Sequence, residues 1–161
     1  MGDPVVLFAT VGQPWSQLER SWALFQTKLD PRAVGRAIPA DGVIWRLLAS
    51  NHRELARSAR VYPTFEEAHT HLLELRADPQ RLQVHVVVVE PTSYGWTASD
   101  TERRTMTCAR WYANAADSLA GGRAAIAALA RAEVAGMPHR TTTSGRRTSR
   151  QTTRTAGRPT G

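Results

Sequence analysis

Trp45-Arg46-Leu47-Leu48-Ala49-Ser50-Asn51-His52-Arg53-Glu54-Leu55-Ala56-Arg57-Ser58-Ala59-Arg60-Val61-Tyr62 is the stretch whose reading decides the fold. Residues 43–49 form an apolar run, Ser50-Asn51-His52 supply turn chemistry, and residues 54–62 return as a second strand. A degenerate echo opens at Trp96-Thr97-Ala98-Ser99 and closes at Thr107-Cys108-Ala109-Arg110-Trp111-Tyr112. The Ala-Arg-x-Tyr ends align at an offset of 50 and the tryptophans at 51, so one turn residue has been lost. Each copy runs into a helix start, Thr64-Phe65-Glu66-Glu67 and Asn114-Ala115-Ala116-Asp117. Two copies are too few for a stacked solenoid, so they predict one pseudo-symmetric domain.

Working outward, Phe65, Ala68, Leu72 and Leu75 make the buried stripe of the first helix, and Asp78-Pro79 ends it. Residues 82–90, Leu-Gln-Val-His-Val-Val-Val-Val-Glu, are the clearest strand. Their unbroken valines predict a central strand covered on both faces. Residues 94–99 and 104–112 form the second hairpin around a turn at 100–102. The helix after Asn114 carries Leu119, Ile126 and Leu129, and Gly121-Gly122 inside it predicts a kink at about 1 kcal/mol per glycine. Upstream, residues 4–10 read as a short strand. Trp15, Leu18, Trp22, Phe25 and Leu29 lie on one helical face behind a Ser16/Glu19 capping-box spacing, stopped at Asp30-Pro31. Residues 33–42 read as a connector.

The chain has 161 residues, room for one domain with a proper core. Residues 1–137 hold 15 Lys+Arg against 14 Asp+Glu, whereas residues 138–161 hold six arginines and no acid. The formal net charge of +7 therefore belongs almost wholly to the C-terminal segment, which removes a globally basic surface as an argument. That segment has no aliphatic side chain larger than alanine and is expected to be disordered. The expected division is residues 1–42 as a strand–helix extension and connector, 43–136 as the repeat domain, and 137–161 as a basic tail. A single cysteine, Cys108, excludes an internal disulfide and a cysteine-based zinc site. No stretch approaches the roughly 20 apolar residues of a membrane span. A soluble protein of the reducing cytoplasm is expected.

The Trp-Arg-Leu strand, the Asn-containing turn and the strand ending Ser-Ala-Arg-Val-Tyr within residues 45–62 resemble the YegP-like family. The resemblance covers residues 43–131 and is denser in the first copy, since Arg46 and Asn51 have no counterpart in the second. It implies an α+β fold in which two ββαβ-type repeats build a single antiparallel sheet with helices packed on one face, and in which C-terminal strands swap between units. Residues 131–137 offer no clear closing strand, which leaves a sheet edge that Val5–Thr10 is placed to fill. The family brings no established activity and no catalytic residues.

No constellation in the chain carries recognisable chemistry. His69 and His71, two apart on a helix, point about 200° apart and cannot share a metal. His85 sits among valines without a second ligand, and reads as a half-buried imidazole. Cys108 matches Ser58, as expected of a small packed site rather than a nucleophile. The carboxylates form no apposed pair, and no phosphate-binding loop or nucleophile elbow appears. Neither metal nor cofactor is expected.

Arg57, Arg60, Arg103, Arg104 and Arg110 are placed on the return strands, where with Trp111 and Tyr112 they match a face for single-stranded nucleic acid. They match better an edge strand protected by charge. Arg140, Arg146, Arg147, Arg150, Arg154 and Arg158 in the tail suit weak, sequence-independent contact with nucleic acid, or no partner at all. Two functions follow from these readings. The first is a non-catalytic binding or assembly module that contacts nucleic acid through its tail, with Arg57, Arg60 and Arg110 as helpers. The second is a protein–protein or self-association module that uses a sheet edge or the Trp15/Trp22 helix.

Overall fold

The computed structural model describes residues 2–11, 17–30, 41–89, 91–101 and 103–140. In chain order the elements are β1 (Val5–Thr10), α1 (Gln17–Leu29), β2 (Val43–Leu48), β3 (Glu54–Ser58), α2 (Phe65–Ala77), β4 (Leu82–Val89), β5 (Ser93–Asp100), β6 (Arg103–Thr107), α3 (Ala115–Arg131) and β7 (Glu133–Arg140). The fold is α+β. One seven-stranded sheet runs in the order β4-β5-β6-β3-β2-β1-β7. Every pairing is antiparallel except that of β1 with β7, which is parallel.

The two hairpins meet back to back at β3 and β6, through Arg57↔Thr107 and Ser58↔Met106. From β3 the chain passes over the sheet in α2 and comes down as β4 beside β5, the first strand of the other hairpin. From β6 it passes over in α3 and returns as β7 on the side of the first hairpin. There β1 already lies antiparallel on β2, so β7 takes the outer place and runs parallel to β1. Val5–Thr10 thus pairs with β2 as expected, but as an inner strand, because β7 covers it and forms the edge. A closing strand exists nonetheless, contrary to expectation. It crosses the boundary expected at residues 136 and 137 and carries Arg140 into the sheet, opposite Thr10. Residues 141–161, with the other tail arginines, lie outside the described residues.

Strand alternation gives the sheet two differently covered faces. Val6, Phe8, Val43, Trp45, Leu47 and Ala56 join Ala68, Leu72, Ala125 and Leu129 of α2 and α3 in the main core. The intervening Ala9 and Ile44 point the other way and pack with Trp22 of α1. Helices therefore cover both faces, not one: α2 and α3 on the first, α1 on the second. The Trp22 indole donates to Ser58 O at 3.2 Å, the Gln26 amide to Thr107 Oγ1 at 2.9 Å, and Phe25 stacks on Trp111 at 4.2 Å. Trp15 and Ser16 lie outside the described residues.

Helices α2 and α3 start where capping chemistry places them. Thr64 Oγ1 accepts from the Glu67 N–H at 3.2 Å, and Asn114 Oδ1 from the Asp117 N–H at 2.8 Å. Gly121-Gly122 do not break the helix, and α3 runs from Ala115 to Arg131 through both. A Cβ on Gly122 would stand 2.5 Å from Val84 Cγ1 and 3.1 Å from Trp96, so close helix–sheet packing offsets the propensity cost. The largest departure is β4, which is an edge strand rather than a central one.

Candidate functional site

Trp45 and Trp96 are both fully buried, at matching places in the two hairpins. The Trp45 backbone N–H donates to Ser58 Oγ at 3.2 Å and the Trp96 N–H to Cys108 Sγ at 3.3 Å. Both indole N–H groups are buried without a hydrogen-bond partner among the described residues. Burial pushes the Cys108 thiol up to about 11, so it stays a thiol at neutral pH and serves as packing and acceptor.

The return strands are shorter than the sequence predicts. β3 ends at Ser58 and β6 at Thr107, after which single bridges Val43↔Tyr62 and Tyr94↔Tyr112 hold the chain. Arg57, Arg103 and Arg104 lie on strands, whereas Arg60 and Arg110 lie on the bends beyond. These arginines do not share a face. Arg57 is largely buried, ion-paired with Glu54 and 5.6 Å from the Phe25 ring. Glu54 also takes Arg46 Nη2 at 2.8 Å. Burial pushes the Glu54 carboxyl up, but the hydrogen bonds from Arg46 and Arg57 outweigh it and leave a net lowering. Arg104 pairs with Asp30 at 2.6 Å. The Ala59 N–H meets Thr105 O in the antiparallel β3–β6 pair, so Arg60 leaves at one end of that pair and Arg110 at the other.

Arg60 and Arg110 each stack on a tyrosine, with guanidinium to ring centroid distances of 4.7 Å on Tyr62 and 4.6 Å on Tyr112. Beyond this the two copies diverge. The Tyr62 hydroxyl meets His71 Nδ1 at 2.6 Å, with Arg60 Nη2 3.3 Å from the same nitrogen. Arginine can only donate, so Nδ1 accepts and the proton of the neutral ring sits on Nε2. Burial lowers the His71 pKa, and the Arg60 charge lowers it further against the opposing pull of Glu74 and Asp100. Tyr62, Arg60 and His71 border an open cleft of about 550 Å³ with Glu66, Glu67 and Glu74 on its helical wall. In the second copy Tyr112 closes directly over Gly121, which stands where His71 does in the first. His69 turns away from His71, packing on Phe8 and Phe65 at 5.9 and 5.4 Å. Among the described residues no three His, Cys, Asp or Glu side chains gather as metal ligands. No described helix is long and apolar enough to cross a membrane.

The sheet edges form the remaining feature: the sequence reading expects a sheet edge as a contact surface but places β4 at the centre rather than at that edge. Among the described residues nothing pairs with the outer side of β4. Gln83 and His85 are exposed, and Val88 is 66 % exposed. From Leu82 to Val89 the strand holds neither Lys, Arg, Asp, Glu nor Pro, the residues that ordinarily blunt an edge. The opposite edge, β7, is blunted. It carries Gly136 and Pro138, and its register against β1 shifts between Val6 and Phe8. Polar Gln83 and His85 at alternate positions are the signal in the sequence. The run of valines after them hid it.

No known family model matches this chain, and no curated protein does. Among solved structures it is similar to the solution NMR structure of YegP from E. coli, a protein of unknown function. The two are 12% identical with a TM-score of 0.51, over 86% of this chain and 96% of that one. At that identity the likeness speaks for fold alone, and the chain has a YegP-like fold.

Proposed function

We propose that this chain is a non-catalytic assembly module, a tandem form of the YegP-like fold that acts in the reducing cytoplasm by docking protein strands. The tandem reading is supported by the Trp45/Trp96, Ser58/Cys108 and Tyr62/Tyr112 correspondences and by β4 flanking the opposite hairpin. The docking reading is carried by one observation: β4 is a long, uncharged, unblunted edge beside a sheet whose other edge is blunted. An added strand gains backbone hydrogen bonds along such an edge, and alternate side chains supply selectivity. The test is a labelled peptide of residues 80–90, kept in solution by Arg81 and Glu90 at its ends. Saturable binding that Val88→Lys weakens supports docking, and absence of binding removes it.

A second reading keeps nucleic acid as a partner of the basic C-terminal segment, on the strength of six unopposed arginines in residues 138–161. Salt-dependent binding of DNA and RNA tests it.

A further inference from the structure

The face of β4 that carries Leu82, Val84, Val86 and Val88 is the one on which α3 packs, with Val84 against Gly122. Cover by α3 is uneven along the strand. At the N-terminal end Leu82 is buried and Val84 half-buried. At the C-terminal end Val88 stands 66 % exposed. Beside the N-terminal end, Leu82, Val84, Leu119, Arg123 and Ile126 border a groove of about 360 Å³ between the sheet edge and α3. One end of β4 therefore offers an apolar knob and the other a groove that Leu82, Val84, Leu119 and Ile126 line beside Gln83 and Arg123, along the same edge.

We propose that the strand docked on β4 is β4 of a second copy of this chain, antiparallel about a two-fold axis perpendicular to the sheet. Such an axis keeps the faces in common and sets the C-terminal half of one strand against the N-terminal half of the other. With the axis at His85 or at Val86, Val88 of each copy comes opposite Leu82 or Val84 of the other, next to the groove. Side chains directly opposite on antiparallel strands stand about 4.5–5.5 Å apart at Cβ, close enough for Val88 to fill that groove. Self-pairing also demands a strand that does not repel itself. β4 meets that demand with no Lys, Arg, Asp or Glu from Leu82 to Val89. The two seven-stranded sheets then join into one continuous sheet, and the open edges of both copies disappear.

This inference rests on the docking reading, and the experiment separates the two. Sedimentation equilibrium of the full chain should show a monomer–dimer equilibrium. Val88→Lys, which changes a mostly exposed side chain, should weaken dimerisation roughly tenfold or more by placing an ammonium against the groove, with the thermal melt of the fold unchanged. Under mild oxidation either His85→Cys or Val86→Cys should give a disulfide-linked dimer, because the residue on the axis faces its own copy. Met137→Cys on β7, 75 % exposed, should not, and the native Cys108 is buried. A dimer that survives Val88→Lys and that neither cysteine variant captures lies elsewhere and overturns the proposal. A chain that stays monomeric at its highest soluble concentration also overturns it. In that case the peptide of residues 80–90 decides the broader reading: binding leaves β4 as a docking edge for another protein, and no binding removes both.

Discussion

A buried backbone N–H at the start of each hairpin needs an acceptor, and the chain supplies one with two different atoms, Ser58 Oγ and Cys108 Sγ. Ser58→Ala leaves the Trp45 N–H without its acceptor and should cost about 1–3 kcal/mol, read from urea melts. Cys108→Ser keeps an acceptor in the same geometry and should cost less than Ser58→Ala. An equal or larger loss would mean that the sulfur's volume, not its hydrogen bond, holds the site. Acidification reports on two other residues. The carboxyl of Glu54 has a lowered folded pKa, so its contribution is present above the ordinary carboxylate value and disappears as pH falls through the folded one. Glu54→Gln should therefore be less stable than the wild type at neutral pH, by about 1.5–3 kcal/mol for lost charged hydrogen bonds, and the gap should close in acid. Lowering of the His71 pKa has the same sign. Its contribution is full above the ordinary histidine value and is lost as pH falls through the folded one. In an NMR titration Arg60→Gln should move the His71 midpoint upward, because the Arg60 charge helps hold the ring neutral.

Helices α2 and α3 were legible residue by residue, because capping is local chemistry. Thr64→Ala should destabilise the fold by about 1 kcal/mol through loss of the bond to the Glu67 N–H. The two glycines of α3 were misread for the opposite reason. Propensity is local, whereas their purpose is a contact with Val84, Trp96 and Tyr112, residues distant in sequence or on another element. The two substitutions should consequently differ. Gly122→Ala drives a methyl into β-branched Val84 and buried Trp96 and should cost about 1–3 kcal/mol despite the better helix former. Gly121→Ala meets the far end of half-buried Tyr112, which can swing aside, and should be close to neutral. β4 was misplaced because consecutive valines read alike at a sheet's centre and at its edge. Its neighbours along the sheet are set by crossovers through α2 and α3, which no local pattern encodes.

At the scale of the whole molecule, the internal echo read from Trp45 and Trp96 gave the hairpins and helices their order, but not the displacement of β7 by β1. That displacement depends on which of two strands pairs with β2, a competition between segments more than a hundred residues apart. It also changes where a basic tail can begin. Arg140 belongs to β7, so five arginines, at 146, 147, 150, 154 and 158, follow that strand in sequence. If these carry nucleic-acid contact, affinity should fall with salt with a slope of no more than about five phosphates' worth. Mixed DNA and RNA sequences should compete almost equally, since charge alone reads no base edges. A chain ending at Arg140 keeps all seven described strands and should lose this binding. Arg60→Ala with Arg110→Ala should change it little, because the two guanidiniums leave opposite ends of the β3–β6 pair and offer no continuous track. Arg57 is largely buried and held by Glu54, and should matter less still. Undiminished affinity after truncation, together with loss on changing Arg60 and Arg110, would move the contact to the tyrosine-backed arginines at the hairpin ends. Such a result would make the end of each hairpin an independent contact, spaced by the length of the central strand pair.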